Sequence, residues 1–458
     1  MKKFIKLFCS VVASIILSTS LVLAFPNTKA NASFSGQFSS EIDMILKDYV
    51  VYTNRVAGSD NEKEASNYII NYLNNNTDCV PCNTVGVDNG IQTFYFTSAF
   101  DGEYYSSRNI IYNYNTTAKT DKKVIICCSY DSVAFKVSSF GTITELVETE
   151  GVNGSAGSVA LLLAFAKYLP QYDFDFNIQF IFFGAGESNN AGSEFFVQGI
   201  SEDDAKDILL TINLDNVAVG KNLYFYVDEI ENDFSKYAAS FSDENNYRVQ
   251  KVSSANIGKM TLYQSSDLGL KYTHISLLSN NYNFMKSGVL TMNIFAGDYS
   301  TGITYGRCEY NGEEIVTYTS NDNLANITAK YGENSISDNL ISIYEMVYGL
   351  LSDEQFETVC TYSYGQTKVF YSIFMNEKYI AILTLISIFV LLCIIWIIQF
   401  KLTKRAYYAN VESGFVKTVF RITDNIGDKL GDEDITKYVS EILVDDIKKD
   451  KRIRGKKK

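Results

Sequence analysis

Histidine is nearly absent: the 458 residues contain one, His274. That scarcity excludes a metal centre built on two or more imidazoles, and leaves a serine nucleophile a single residue to use as imidazole base. Proline is almost as rare, at 3 residues, and the chain has no low-complexity linker and no internal repeat. Positive charge is also in deficit. The formal net charge is −13; residues 1–32 carry +4, and residues 401–458 carry 15 basic and 10 acidic side chains, +5, so residues 33–400 stand at −22. A body this acidic argues against nucleic acid or anionic lipid as its partner.

Long apolar runs are present, at both ends. The start, MKKFIKLFCSVVASIILSTSLVLAF, places three lysines before an apolar stretch and is followed by Ala30-Asn31-Ala32. This reads as a signal peptide over residues 1–32, with an uncleaved anchor as its rival. Tyr379–Phe400 is a charge-free run of 22 residues, enough to cross roughly 30 Å of hydrocarbon as a helix. Lys401, Lys404 and Arg405 follow at once, so the N-terminal side is expected outside the cell membrane and residues 401–458 in the cytoplasm. Residues 353–378 read as a stalk, with Lys368–Phe374 as a last short strand. In the tail, Ile435, Val439, Ile442 and Leu443 form a helical stripe, and the terminal KKDKRIRGKKK is a solvated tail or a contact for anionic lipid.

Of the eight cysteines, Cys9 falls in the signal and Cys393 in the membrane helix. Cys79 and Cys82 form a lone C-x-x-C, for which a local disulfide is expected outside the membrane. Cys127 and Cys128 read as core residues of a strand.

Between residues 33 and 352, apolar strands alternate with helical patterns. KKVIICCS, FNIQFIFFGAG and DILLTINLDNV are unbroken apolar strands; EKEASNYIINYL, SVALLLAFAKYL and NLISIYEMVYGLL have helical spacing. This predicts an α/β three-layer sandwich around a mainly parallel sheet, covered on both faces. Ligand sites in such sheets lie at the carboxyl ends of the strands, where Ser129–Asp131, Gly184–Glu187 and Asn213–Asn216 fall.

The order of blocks then becomes recognisable: NRVAGSDNEKEASNYIINYL, SRNIIYNY, VIICCSYDSV, GVNGSAGSVALLLAFAKYL, IFFGAGESNNAGSEFF, TINLDNV, SNNYNFMKSGVLTMNIF and TYTSNDNLANI. Over about residues 45–350 the chain resembles metallopeptidase family twenty-eight, the cocatalytic zinc aminopeptidases. The resemblance implies two zinc ions on five side chains and a glutamate as general base. Carried over residue by residue, it finds Ser129 in place of the first histidine, with the aspartate that would orient it kept as Asp131. Gly154 stands where the bridging aspartate belongs, and a slide of one residue offers only Asn153. Gly186 holds the position of the base, Glu187 and Asp215 keep two ligand positions, and Tyr318 replaces the last histidine, with Thr319 and Asp322 keeping its frame. Asn280 and Asn281 stand where an aspartate and a histidine are common.

Two of five ligands without a base do not make a catalytic zinc site, for which three protein ligands and a water are the usual minimum. The expectation is therefore a peptidase-like ectodomain that has lost metal and catalysis, with no zinc cofactor. It would bind a peptide or protein, or serve a membrane complex, in a layout similar to nicastrin and nicalin. The alternative is an active metallo-aminopeptidase with zinc at an atypical site that recruits Glu150, Cys128 or backbone carbonyls. Ser129 as nucleophile is a third reading, with no motif that supplies its base. Glu187 and Asp215 have a plain alternative as polar residues bonded to neighbouring backbone, or as a weak site for a hard cation.

Overall fold

Eleven strands and the helices between them are laid out in a computed structural model that describes residues 32–98, 100–137, 143–227, 232–252, 279–297, 316–370 and 384–402. The signal region, His274 and the tail stripe lie outside the described residues. The strands are β1 (Val80–Pro81), β2 (Ile91–Thr97), β3 (Tyr104–Tyr114), β4 (Lys123–Ser129), β5 (Phe135–Val137), β6 (Ile143–Leu146), β7 (Asn177–Phe183), β8 (Ile208–Leu214), β9 (Asn222–Val227), β10 (Val249–Lys251) and β11 (Thr291–Gly297). Nine form one sheet in the order β1-β3-β7-β4-β8-β11-β9-β10, with β2 beside β3, and β5 and β6 pair separately.

The centre, β7-β4-β8-β11, is parallel. The β3 edge and the β9–β11 pair are antiparallel, so the sheet is mixed rather than mainly parallel. The connections explain this. Parallel neighbours need a crossover of about a dozen residues or more, whereas β2 reaches β3 through a short turn in which the Ser98 N–H donates to the Glu103 carbonyl, 2.8 Å. From β8 to β9 there are only the residues between Leu214 and Asn222.

Side chains alternate across the central strands into two cores. Val124, Ile126 and Cys128 join the larger cluster on one face, and Ile125 and Cys127 the smaller one on the other. Helix Gly157–Tyr168 lies in the larger core with every residue but Lys167 buried, which explains its apolar sequence without a membrane. Phe284 and Val197, on helices Asn281–Lys286 and Ala191–Gln198, cover the opposite face. Helix Ala32–Tyr49, absent from the sequence reading, adds Phe38, Ile42, Ile45, Leu46 and Tyr49 to the large core at helical spacing.

Two sequence expectations are corrected here. Residues 356–370 form a helix rather than a stalk; Phe356, Cys360 and Ser363 are buried, and the Ser363 hydroxyl accepts the Phe234 N–H at 2.9 Å. Lys368–Phe370 belong to this helix, and 371–374 lie outside the described residues. Cys79 and Cys82 are free thiols. They flank the two residues of β1 and join opposite cores, so their side chains diverge.

The chain divides into two units, Met1–Asn376 and Glu377–Lys458. In the second, helix Thr384–Leu402 is long and apolar enough to cross a membrane and is 0% buried within the molecule; the first residues of the expected span, 379–383, lie outside the described residues. The full chain is expected to remain with the membrane after alkaline carbonate extraction, and residues 33–376 expressed alone to stay in the supernatant. Recovery of that fragment in the pellet would count against residues 379–400 as the anchor.

Candidate functional site

Three adjacent parallel strands end side by side. The register sets Ser129 of β4 opposite Phe183 of β7, and Cys127 opposite Asn213 of β8. The chain beyond each strand end therefore shares one surface: Ser129–Asp131 after β4, Gly184–Asn190 after β7, and Asp215–Val219 after β8.

Asp131 ties the first two loops together. It is fully buried, and its two carboxylate oxygens accept the N–H groups of Gly186 at 2.8 Å and Glu187 at 2.9 Å. Burial pushes its pKa up to about 6, against the pull of those two bonds. The carboxylate thus holds backbone rather than a side chain.

Gly186 packs directly on the strand end. A Cβ there would overlap the Ser129 hydroxyl and stand 2.6 Å from the Ser129 Cβ and 3.0 Å from Asp131 Oδ1. The preceding residue, Ala185, is left-handed at φ 53°, a conformation uncommon for residues with a Cβ. Asn189 and Asn190 in the same loop (φ 60° and 56°), Asn216 after β8 (φ 55°) and Tyr318 (φ 66°) are left-handed as well, so each of these approaches to the site contains at least one such residue.

Glu187 and Asp215 carry raised pKa values. Burial is the main cause for Glu187, reinforced by Asp131 and Asp215 and opposed by a hydrogen bond from Tyr318. The Tyr318 ring also stacks on Phe135, 5.6 Å between centroids and 8° between planes. Asp215 is pushed up to about 7, chiefly by burial. Its Oδ2 accepts the Ser279 hydroxyl and its Oδ1 the Asn216 amide, both at 2.9 Å.

A neutral network completes the strand ends. Asn280 Nδ2 donates to Ser129 Oγ at 3.0 Å and to Asn213 Oδ1 at 3.3 Å. Asn213 Nδ2 donates to Ser279 Oγ at 2.5 Å and to Asn293 Oδ1 at 2.6 Å. Gly154 lies at the entry to helix Gly157–Tyr168, in a π-helical turn over Val152–Ala156. The Asp322 carboxylate receives the N–H groups of Asn153 at 2.6 Å and Gly154 at 2.9 Å, satisfying donors that the turn leaves free; burial pushes Asp322 up to about 6.

The structure thus brings Ser129, Asp131, Gly186, Glu187, Asp215 and Tyr318 together, and joins Gly154 to them through Asp322, which also raises the pKa of Glu187. Asn280 enters through Ser129, whereas Asn281 bonds Tyr226 at 3.0 Å on its own side. Neither proposed substitute ligand is placed for the task. Glu150 accepts the Leu324 N–H at 2.6 Å, and Cys128 is buried in the larger core.

Sequence reasoning missed Glu62. Ser59 caps helix Asp60–Asn76 by accepting the Glu62 N–H, the S-x-x-E pattern of a capping box. The Glu62 side chain instead accepts the Gly58 N–H at 2.6 Å, the Ser107 hydroxyl at 2.6 Å and the Ala185 N–H at 3.2 Å. It therefore holds the Gly184–Asn190 loop at Ala185, next to the two N–H groups that Asp131 holds. Burial, then Asp131, push its pKa up to about 8. The capping pattern was the only signal in the sequence.

A cocatalytic zinc pair does not fit these side chains. Two carboxylates remain, one bonded to a phenol and the other to a hydroxyl and an amide. The remaining positions offer a serine hydroxyl, two glycines and a tyrosine, with no imidazole and no carboxylate between them. Among the described residues no group of three His, Cys, Asp or Glu side chains is arranged to hold a metal ion.

In an α/β domain the carboxyl ends of neighbouring parallel strands are where ligands bind, and the polar residues of this chain gather there. Comparison narrows the class: residues 109–334 match Peptidase family M28, and the similarity is at the level of that family. Over 76 residues, 17% of this chain and 22% of the other, the protein is 32% identical to the alkaline phosphatase isozyme conversion protein of Escherichia coli K12. The match thus spans about a fifth of that curated relative. Among solved structures, BSAP, a zinc aminopeptidase from Bacillus subtilis, is 20% identical with a TM-score of 0.38, covering 54% of this chain and 50% of that one. A Zn-dependent exopeptidase from Parabacteroides distasonis is 15% identical with a TM-score of 0.48, covering 69% and 98%.

Proposed function

We propose that this chain is a membrane-anchored peptidase-like domain that does not hydrolyse peptides and that works by binding a peptide or a membrane-protein partner. The carrying observation is position 186. Peptide hydrolysis by a metal-bound water needs a base within hydrogen-bond reach, and the backbone there carries no side chain and sits against Ser129. The positions of Ser129, Gly154 and Tyr318 add no imidazole and no bridging carboxylate, so two cations would face each other unscreened.

In this reading residues 1–32 direct export, residues 33–376 fold outside the cell, and the span near Tyr379–Phe400 holds them to the membrane with the basic flank inside. The acidic body favours a protein or peptide partner over nucleic acid. Residues 33–376 should purify without stoichiometric zinc and leave aminoacyl substrates intact, with or without added zinc. One zinc per chain together with chelator-sensitive turnover would establish the rival reading, an aminopeptidase working through Glu187 and Asp215.

A further inference from the structure

We infer that Ser129 and Gly186 are a matched pair that closes the strand ends, with Asn280 as the latch, so that a hydrogen-bonded clasp holds the loops that a metal would otherwise tie together. The inference rests on the proposed loss of catalysis and explains why that loss is built into the packing rather than confined to one residue.

The geometry is that of a closed clasp. From one side, Asp131 pins the backbone of Gly186 and Glu187, drawing the loop down until only hydrogen fits at position 186. The obstructing atom matters here. A hydroxyl can rotate aside, but the Ser129 Cβ, 2.6 Å from where a Cβ at 186 would stand, is fixed by the backbone of β4. From the other side, Asn280 donates to Ser129 Oγ, and the neighbouring Ser279 donates to Asp215. The segment Ser279–Lys286 is thereby tied to β4 and to the end of β8 by direct bonds between neutral donors and their acceptors. Ser129 serves both sides: its Cβ excludes a side chain at 186, and its Oγ receives the latch.

A steric pair has a signature that two independent residues lack. Gly186→Ala in the 33–376 domain should lower the thermal midpoint by roughly 3–8 °C, as overpacking at a tight, half-buried contact does. Ser129→Gly should cost less, through the lost Asn280 bond. The double variant should regain most of what Gly186→Ala loses, giving clear non-additivity. If Gly186→Ala does not fold, a folded double variant makes the same point. A tolerated Gly186→Ala, or a double variant no better than the single, would overturn the pairing.

A second arm separates this inference from the functional reading beneath it. The wild-type midpoint should be the same in zinc chloride and in chelator. A rise with zinc would refute the proposed loss of metal even if the pair behaves as expected. A failed cycle with no zinc response would refute the clasp alone.

Discussion

Replacing Arg55 with methionine is expected to cost the domain a large part of its stability. Arg55 is fully buried, and its guanidinium donates to the carbonyls of Tyr130 (3.1 Å), Tyr52 (2.8 Å), Glu150 (2.9 Å) and Gly151 (3.2 Å), and to Ser155 Oγ (3.0 Å). It also stacks 4.8 Å over the Tyr49 ring. Among the described residues it makes no ion pair, so carbonyl dipoles meet its charge, with Asp131 and Asp322 acting from further off. Without it, Tyr130 O keeps the Tyr49 hydroxyl and Gly151 O keeps the N–H groups of Ser155 and Ala156. The carbonyls of Tyr52 and Glu150 lose their donor, at about 1–3 kcal/mol each. Against a total of about 5–15 kcal/mol for a typical domain, that is severe. Lysine should recover little, because an ammonium cannot span carbonyls fanned over a planar fork. Urea denaturation of residues 33–376 followed by far-UV circular dichroism measures it; tryptophan fluorescence cannot, since the one tryptophan, Trp396, lies in the other unit. A loss below about 1 kcal/mol would mean that water or a neighbour takes over those carbonyls.

The same arginine shows where sequence reading stops. NRVAG reads as the lead-in to a helix, and nothing marks its arginine as the residue that joins β4 to the turn before helix Gly157–Tyr168, because its partners lie up to 100 positions away. The central strands were legible for the opposite reason: VIICC and FIFF are apolar throughout and ILLTINL nearly so, broken only by Thr211 and Asn213, because both faces are buried, and that information is local. The antiparallel edges were not, since pairing direction belongs to connections. Strand β2 alternates cleanly between buried and exposed residues, yet passed unnoticed between louder apolar runs. The pairing expected of Cys79 and Cys82 failed on geometry that spacing alone does not contain. At the site, the ordered blocks led to Ser129, Asp131, Gly186, Glu187, Asp215 and Tyr318, which the fold does gather. Glu62 escaped, and Asn280 was named only by its position, because their roles are set by contacts across 45 and 151 residues.

Stability is expected to fall as pH rises from about 5 to above 8, and Glu62 should account for much of the slope. Its folded pKa of about 8 lies above the ordinary 4.5, so the folded state binds the proton more tightly than the unfolded chain does. The contribution is fully present below the ordinary value and is lost as pH rises through about 8. Asp131, Asp215 and Asp322, raised to about 6, 7 and 6, act in the same sense over a lower window. Glu187, raised well above the usual carboxylate value by burial, acts in the same sense. Each tenfold gain in proton affinity is worth about 1.4 kcal/mol, so these five groups should dominate the exposed, already ionised carboxylates in this range. The Glu62→Gln variant separates the first from the rest. Its amide oxygen can still accept from Ser107 and Ala185, but its NH₂ then meets the Gly58 N–H, which lowers stability at every pH by about 1–3 kcal/mol. The readout is therefore the slope: between pH 7 and pH 9 the variant's unfolding midpoint should fall less steeply than the wild type's, the remainder coming from Asp215 and Glu187. Parallel curves would show that Glu62 is ionised in the folded state, held by its three donors, and that the pH dependence arises in the three aspartates and Glu187.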